Sequence, residues 1–146
     1  MLVRVLAVAG LMSAASVAGA ALAQGGRFSD VRTSALMIQT INPAALAFWA
    51  GGNDPPEDET AAQAEARWSA AVQGAVTMQA RATDLLAHSR PGRWDEYTHM
   101  MAEIAREGEA AARARDAEAA FEIGGRLYDS CNGCHKAYVP VAQPAG

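Results

Sequence analysis

The sequence predicts an all-α fold, an antiparallel four-helix bundle, on three observations. Beyond the first two dozen residues, alanine dominates with Glu, Arg, Gln, Leu and Met, and β-branched residues are sparse. That mixture favours helix. The prolines stand as punctuation at Pro43, Pro55-Pro56, Pro91, Pro140 and Pro144, which leaves long proline-free stretches over residues 57–90 and 92–139. Within those stretches apolar residues recur at helical spacing. Four amphipathic helices of roughly twenty residues, each about 30 Å long, with short connections, pack as an antiparallel bundle.

The first helix is expected over about Ser29 to Ala50, capped by Ser29 or Asp30 and stopped by Gly51-Gly52, since glycine ends helices readily. Pro43 lies inside it. A proline lacks a backbone donor and clashes one turn back, so a kink or break is expected near Gln39 to Asn42. The acidic segment Asn53 to Glu59 is a loop. The second helix starts at Thr60, with Gln63 three residues on as a capping box. Its stripe is Trp68, Val72, Ala75, Met78, Ala82 and Leu85/Leu86, and it ends near His88. The third begins near Trp94, where Asp95 and Glu96 complement the positive helix terminus. Its stripe is Trp94, Tyr97, Met101, Ile104, Gly108 and Ala111/Ala112, and it ends around Arg115. Asp116 then caps the fourth helix, whose face carries Phe121, Gly124, Leu127/Tyr128, Cys131, Cys134/His135 and Tyr138. The tail from Pro140 to Gly146 reads as loose.

The opening residues have the pattern of an export signal. Arg4 precedes the apolar run Val5 to Leu22, which ends in the small-x-small sequence Ala21-Leu22-Ala23. Cleavage is expected after Ala23, so residues 1–23 are removed and the mature chain, 24–146, starts at Gln24. The run is short for a membrane span and rich in Ala, Gly and Ser. The expectation is an exported, periplasmic protein with no stable membrane insertion. A formal net charge of -4 with both signs interspersed offers no basic run for nucleic acid.

The chemistry concentrates in Cys131-Asn132-Gly133-Cys134-His135, which holds the chain's two cysteines. C-x-x-C-H is the attachment pattern of c-type haem. On a helix, positions i, i+3 and i+4 project from one face. Two thioether tethers and an axial imbidazole-type nitrogen are what a planar ring requires of that face. Three other readings compete. A structural disulfide here would close a very short loop and stabilise little. A redox dithiol would precede a helix in an α/β pattern, which is missing. Zinc would need further ligands, and only His88 and His99 remain; both read as surface residues.

With this pentad on the last helix of an exported bundle, the chain resembles the class II c-type cytochromes, the cytochrome c-prime group. The resemblance covers nearly all of residues 24–146 and is most specific over Asp129 to Tyr138. It implies a four-helix bundle with one covalent haem c and His135 as the proximal iron ligand. Six-coordinate members carry a Leu-Met pair early in the first helix, with the methionine on the iron. Leu36-Met37 stands at the matching place, so Met37 is the expected distal ligand, against the plainer reading of a core methionine. Met78, Met100 and Met101 are rivals; Met78 and Met101 fit core stripes.

The resemblance also implies function. A six-coordinate member is a mono-haem electron carrier, not an enzyme, that meets periplasmic redox partner proteins. A five-coordinate member binds nitric oxide or carbon monoxide, and that alternative stays open. Family members often pair through their first two helices, so a homodimer is available, with Phe48-Trp49 as candidate surface; burial within one bundle explains those residues equally well. Two departures stand out. Many members carry arginine four residues after the haem histidine, where this chain has Val139, and Pro43 breaks the commonest pattern of the first helix.

The remaining cofactor-contact candidates are Tyr138, Gly124, which would make room for a porphyrin or a crossing helix, and Arg32, which could meet a propionate. Arg90 and Arg93 are further propionate candidates. Gly74 and Gly108 are expected at close helix contacts, because a mid-helix glycine costs about 1 kcal/mol against alanine.

Overall fold

The computed structural model describes residues 30–139. The expected export signal with its expected cleavage point after Ala23, Ser29 and the tail from Pro140 lie outside the described residues. Among these residues there are four helices and no strand. The first is a continuous rod of three pieces: α1 (Val31–Leu36), a π-turn (Met37–Ile41) and α2 (Asn42–Gly52). It is followed by α3 (Ala61–Leu86), α4 (Trp94–Ala114) and α5 (Ala117–Tyr138). No helix is long and apolar enough to cross a membrane among the described residues.

Local chemistry fixes most helix ends. Asp30 caps α1 by accepting the Arg32 backbone N–H at 2.9 Å. At Thr60 the capping box is complete: its hydroxyl accepts the Gln63 N–H, and the Gln63 side chain accepts the Thr60 N–H at 2.8 Å. Each satisfies a donor that the helix end leaves orphaned. Asp116 caps α5 through the Ala119 N–H at 3.0 Å. Arg115 ends α4 in a left-handed conformation, φ 56°. Arg67 reaches back from α3 to donate to the Ala50 and Gly51 carbonyls and is paired with Glu59 at 2.7 Å. It closes α2 where that helix has exhausted its own donors.

Three expectations about the helices need correction. Gly51-Gly52 do not stop the first helix, which runs through both and is capped by Asn53. They are small for a tertiary reason: a Cβ on Gly52 would lie 2.6 Å from the Phe121 backbone nitrogen. Pro43 does not break the rod but is preceded by the π-turn. Phe121 and Tyr128 are not core residues. They are 66% and 59% exposed, and α5 buries Ala120, Gly124, Leu127 and Ser130 instead.

Helix pairing is antiparallel throughout. The Ala44 and Phe48 region of the rod meets Gly74, and Gly51 meets Ala71 and Trp68. Glu65 meets Arg115 at one end of the α3–α4 pair, and Leu85 meets Trp94 at the other. Glu107 meets Arg126, and Trp94 meets Tyr138, on α4–α5. The rod closes the ring against α5, where the Trp49 indole donates to the Gly124 carbonyl at 2.9 Å.

The core is built from small residues around a few large ones. Phe48, Met78 and Leu127 are fully enclosed among Ala71, Ala75, Ala105, Ala112 and Ala120. Gly74 and Gly108 mark close contacts as expected: a Cβ on Gly74 would overlap the Ala44 carbonyl oxygen, and one on Gly108 would lie 2.6 Å from the Phe48 ring. Phe48 is thus buried inside one bundle, and Trp49 is half-buried beside it.

Candidate functional site

Four helix ends meet at the end of the bundle opposite Gly51 and Ala71. The rod begins there, α3 ends, α4 begins and α5 ends. The space between them is a cavity of about 470 Å³, within the roughly 300–1,000 Å³ typical of cofactor and small-molecule sites. The rod contributes Met37, Ile38, Ile41, Asn42, Ala45 and Trp49 to its wall. Helices α3 and α4 add Leu85, Trp94, Tyr97, Thr98 and Met101. From α5 come Tyr128, Ser130, Cys131, Asn132, Cys134 and His135.

The pentad therefore opens onto a mainly apolar cavity, and Met37, nearly a hundred residues earlier in the sequence, lines the same space. Cys131 and Cys134 are half-buried free thiols. His135 is exposed at the rim, and Met37 is half-buried against the core. Burial pushes the Cys131 thiol above its ordinary value. It pushes Cys134 up to about 11; the neighbouring Cys131 adds to the rise and Arg90 opposes it. Redox-active cysteines need the opposite, a stabilised thiolate, so this environment counts against the dithiol reading. Among the described residues no group of three or more His, Cys, Asp and Glu side chains is arranged to hold a metal ion.

The walls are held by the polar tips of their aromatic residues. The Trp94 indole donates to the Leu85 carbonyl at 2.9 Å, and the Thr98 hydroxyl donates to the Trp94 carbonyl at 2.9 Å. The Tyr138 ring meets Trp94 edge-on, with centroids 5.1 Å apart, and its hydroxyl donates to the Pro91 carbonyl at 2.8 Å. This pins the C-terminal turns of α5, and with them the pentad, to the start of α4. The Arg90 guanidinium lies 4.3 Å from the Trp94 ring centre and donates to Thr33 at 3.1 Å, tying the start of the rod to the same cluster. Gly133, between the two cysteines, leaves room for Tyr97, whose ring carbon would lie 2.9 Å from an added Cβ.

Of the residues singled out from sequence, the cavity gathers Cys131, Cys134, His135 and Met37. Tyr138 supports the wall through Trp94 without being part of the lining. Gly124 makes room, but for Trp49: a Cβ there would lie 2.8 Å from the indole. Arg32 is exposed and outside the lining, and its backbone N–H donates to the Asp30 carboxylate. Arg93 pairs with Glu96 and stacks on Tyr97. His88 and His99 are exposed, and His88 contacts the Asp84 carbonyl at 2.9 Å. Met78 is enclosed in the core, whereas Met101 is both core and cavity wall.

Sequence reasoning missed Ile38, Ile41, Ala45 and Trp49 as lining residues. Tyr128 lines the cavity beside the pentad, as its place three residues before Cys131 on the same helix side implies. For the rod a signal existed too, since Met37, Ile41, Ala45 and Trp49 recur every four residues, which is helical spacing.

Comparison with protein-family models, with curated proteins and with solved structures returns no match.

Proposed function

We propose that this protein is a mono-haem electron carrier of the c type, with its haem held in the cavity between the start of the rod and the end of α5. The observation that carries the reading is convergence. Met37, beside Leu36 in the first helix, and the C-terminal C-x-x-C-H pentad, remote in sequence, line a single apolar cavity. Cys131 and Cys134 would hold the group as thioethers, and His135 and Met37 would hold its iron. A haem bound there supplies one-electron chemistry between ferrous and ferric iron.

The residues present fit such a group. Its apolar faces would meet Ile41, Ala45, Leu85, Trp94 and Met101. Taken as a dry void, the cavity would cost on the order of 10 kcal/mol at about 24 cal/mol per Å³. That is comparable with the whole stability of a small domain, about 5–15 kcal/mol. The figure is an upper bound because the mouth admits water. Filling the cavity with an apolar ligand removes the cost, so core and cofactor would be completed together.

The chain's own contribution is ligation, rigidity and water exclusion. A neutral imidazole and a neutral thioether together favour ferrous iron and raise the reduction potential. With His135 and Met37 both holding the iron, no place would be left for a gas. The hydrogen bonds that fix Trp94, Tyr138 and Trp49 hold the walls in one arrangement, which suits a site that must change charge without changing shape. Export to the periplasm and redox partner proteins belong to the same proposal.

The test is an absorption spectrum of the haem-loaded protein, oxidised and reduced, before and after carbon monoxide. Sharp low-spin bands unaffected by the gas are expected. A broad high-spin spectrum that shifts with carbon monoxide would replace this reading with a five-coordinate gas-binding protein.

A further inference from the structure

The rod changes from α to π geometry at Met37, the residue proposed as the distal ligand. The Asn42 N–H donates to the Met37 carbonyl, five residues back. An uninterrupted α-helix would direct it to Ile38, four back. Such turns are rare and hold one residue more than an α-turn. Pro43 follows directly. In a regular helix its ring would strike the carbonyl of Gln39 and leave that carbonyl without its donor. A wider turn at this point relieves the clash.

The extra residue decides which side chains face the cavity. Met37, Ile41, Ala45 and Trp49 are all lining residues spaced by four. In a regular α-helix each such step drifts by about 40°, so the set would fan over about 120°. The π-turn takes back much of that drift and keeps the four on one side. Ile38 is left at the rim, 71% exposed. With α2 fixed by its packing on α3 and α5, removing the extra residue would put Ile38 where Met37 stands and turn Met37 away.

We infer that Pro43, through the π-turn at Met37–Ile41, is a positioning residue that selects Met37 over Ile38 as the side chain offered to the distal side of the bound group. This rests on the function proposed above. Pro43 itself is not among the residues that line the cavity. It acts by setting the register of the residues that do. One proline thereby determines whether the distal position receives a thioether, which can ligate iron, or a branched alkyl group, which cannot.

The experiment uses the haem-loaded full-length protein and reads spin state, the long-wavelength charge-transfer band of thioether-ligated ferric iron, and carbon monoxide binding. Met37→Ala in the otherwise unaltered chain comes first. It should abolish the band and open the iron to the gas. If it changes nothing, Met37 is not a ligand, and the reading of the site falls together with this inference. Given that result, Pro43→Ala tests the inference alone. Pro43 is exposed and alanine favours helix, so the variant should fold, as circular dichroism would verify. It should lose the band and bind carbon monoxide, as Met37→Ala does. Adding Ile38→Met to Pro43→Ala should restore the band and exclude the gas. A Pro43→Ala protein that retains methionine ligation overturns the inference. So does a double variant that stays high-spin.

Discussion

The two ends of the bundle are made from the same alanine-rich helices and could hardly differ more. At one end and through the middle of the bundle Gly52, Gly74 and Gly108 let backbones and rings approach within contact, and Ala71, Ala75 and Ala112 fill what remains. At the other, Trp94, Met101, Ile41 and Leu85 stand round a cavity of about 470 Å³. Small residues close a bundle because they cost it no space. Large ones, with their indoles and hydroxyls tied to backbone carbonyls, hold it apart. The open end leaves a cavity between the helices, and the tightly packed remainder clamps them together.

Substitutions that add volume should therefore have opposite signs at the two ends. The largest effect is expected for Gly74→Ala, whose Cβ would overlap the Ala44 carbonyl. Backbone cannot yield as a side chain does, and a loss of about 3 kcal/mol should appear in chemical denaturation. Ala71→Leu, at a fully buried position beside Gly51, should cost about 2 kcal/mol. Ala45→Leu, buried but on the cavity wall, should instead stabilise the haem-free protein by about 1 kcal/mol, as cavity filling does, while impeding haem loading. Equal losses at Ala71 and Ala45 would erase the distinction between the ends.

A smaller effect on stability, and a larger one on chemistry, is expected at the cavity rim. Met37 is only half-buried, so Met37→Ala should cost about 1 kcal/mol or less, below the usual range for core methionines, while carbon monoxide binding appears. The smallest effect belongs to the loop joining α2 and α3. Arg67 holds the Glu59 carboxyl below its ordinary value. A depressed carboxyl contributes stability above its unfolded pKa of 4.5 and loses it as the pH falls below that. Thermal melts between pH 7 and pH 3 should show this contribution disappearing on acidification, and Glu59→Gln should flatten the dependence without altering the cavity.

Sequence and structure agree where a signal is local. The Thr60–Gln63 box, the start of α4 at Trp94 and the Asp116 cap follow from residues a few positions apart, and the helical spacing of the pentad puts its thiols and imidazole on one face. They part where a neighbour distant in sequence decides. Gly51-Gly52 looks like a helix stop, yet the pair is small because α3 and α5 press against it. Phe121 and Tyr128 share a helical side with the core, but α5 turns Ala120, Gly124, Leu127 and Ser130 inward, and an apolar stripe cannot reveal which of two adjacent faces is buried. Pro43 announces a disturbance; that it takes the form of an extra residue in one turn, with consequences for Met37, depends on the packing of α2 that holds the rest of the rod in place.

The most direct test is the intact mass of the full-length chain, produced in a host that attaches c-type haem and measured under denaturing conditions. The account predicts a single species, carrying one covalently bound haem and no alkylatable thiol. A chain at its bare polypeptide mass, with Cys131 and Cys134 both open to alkylation, would contradict it.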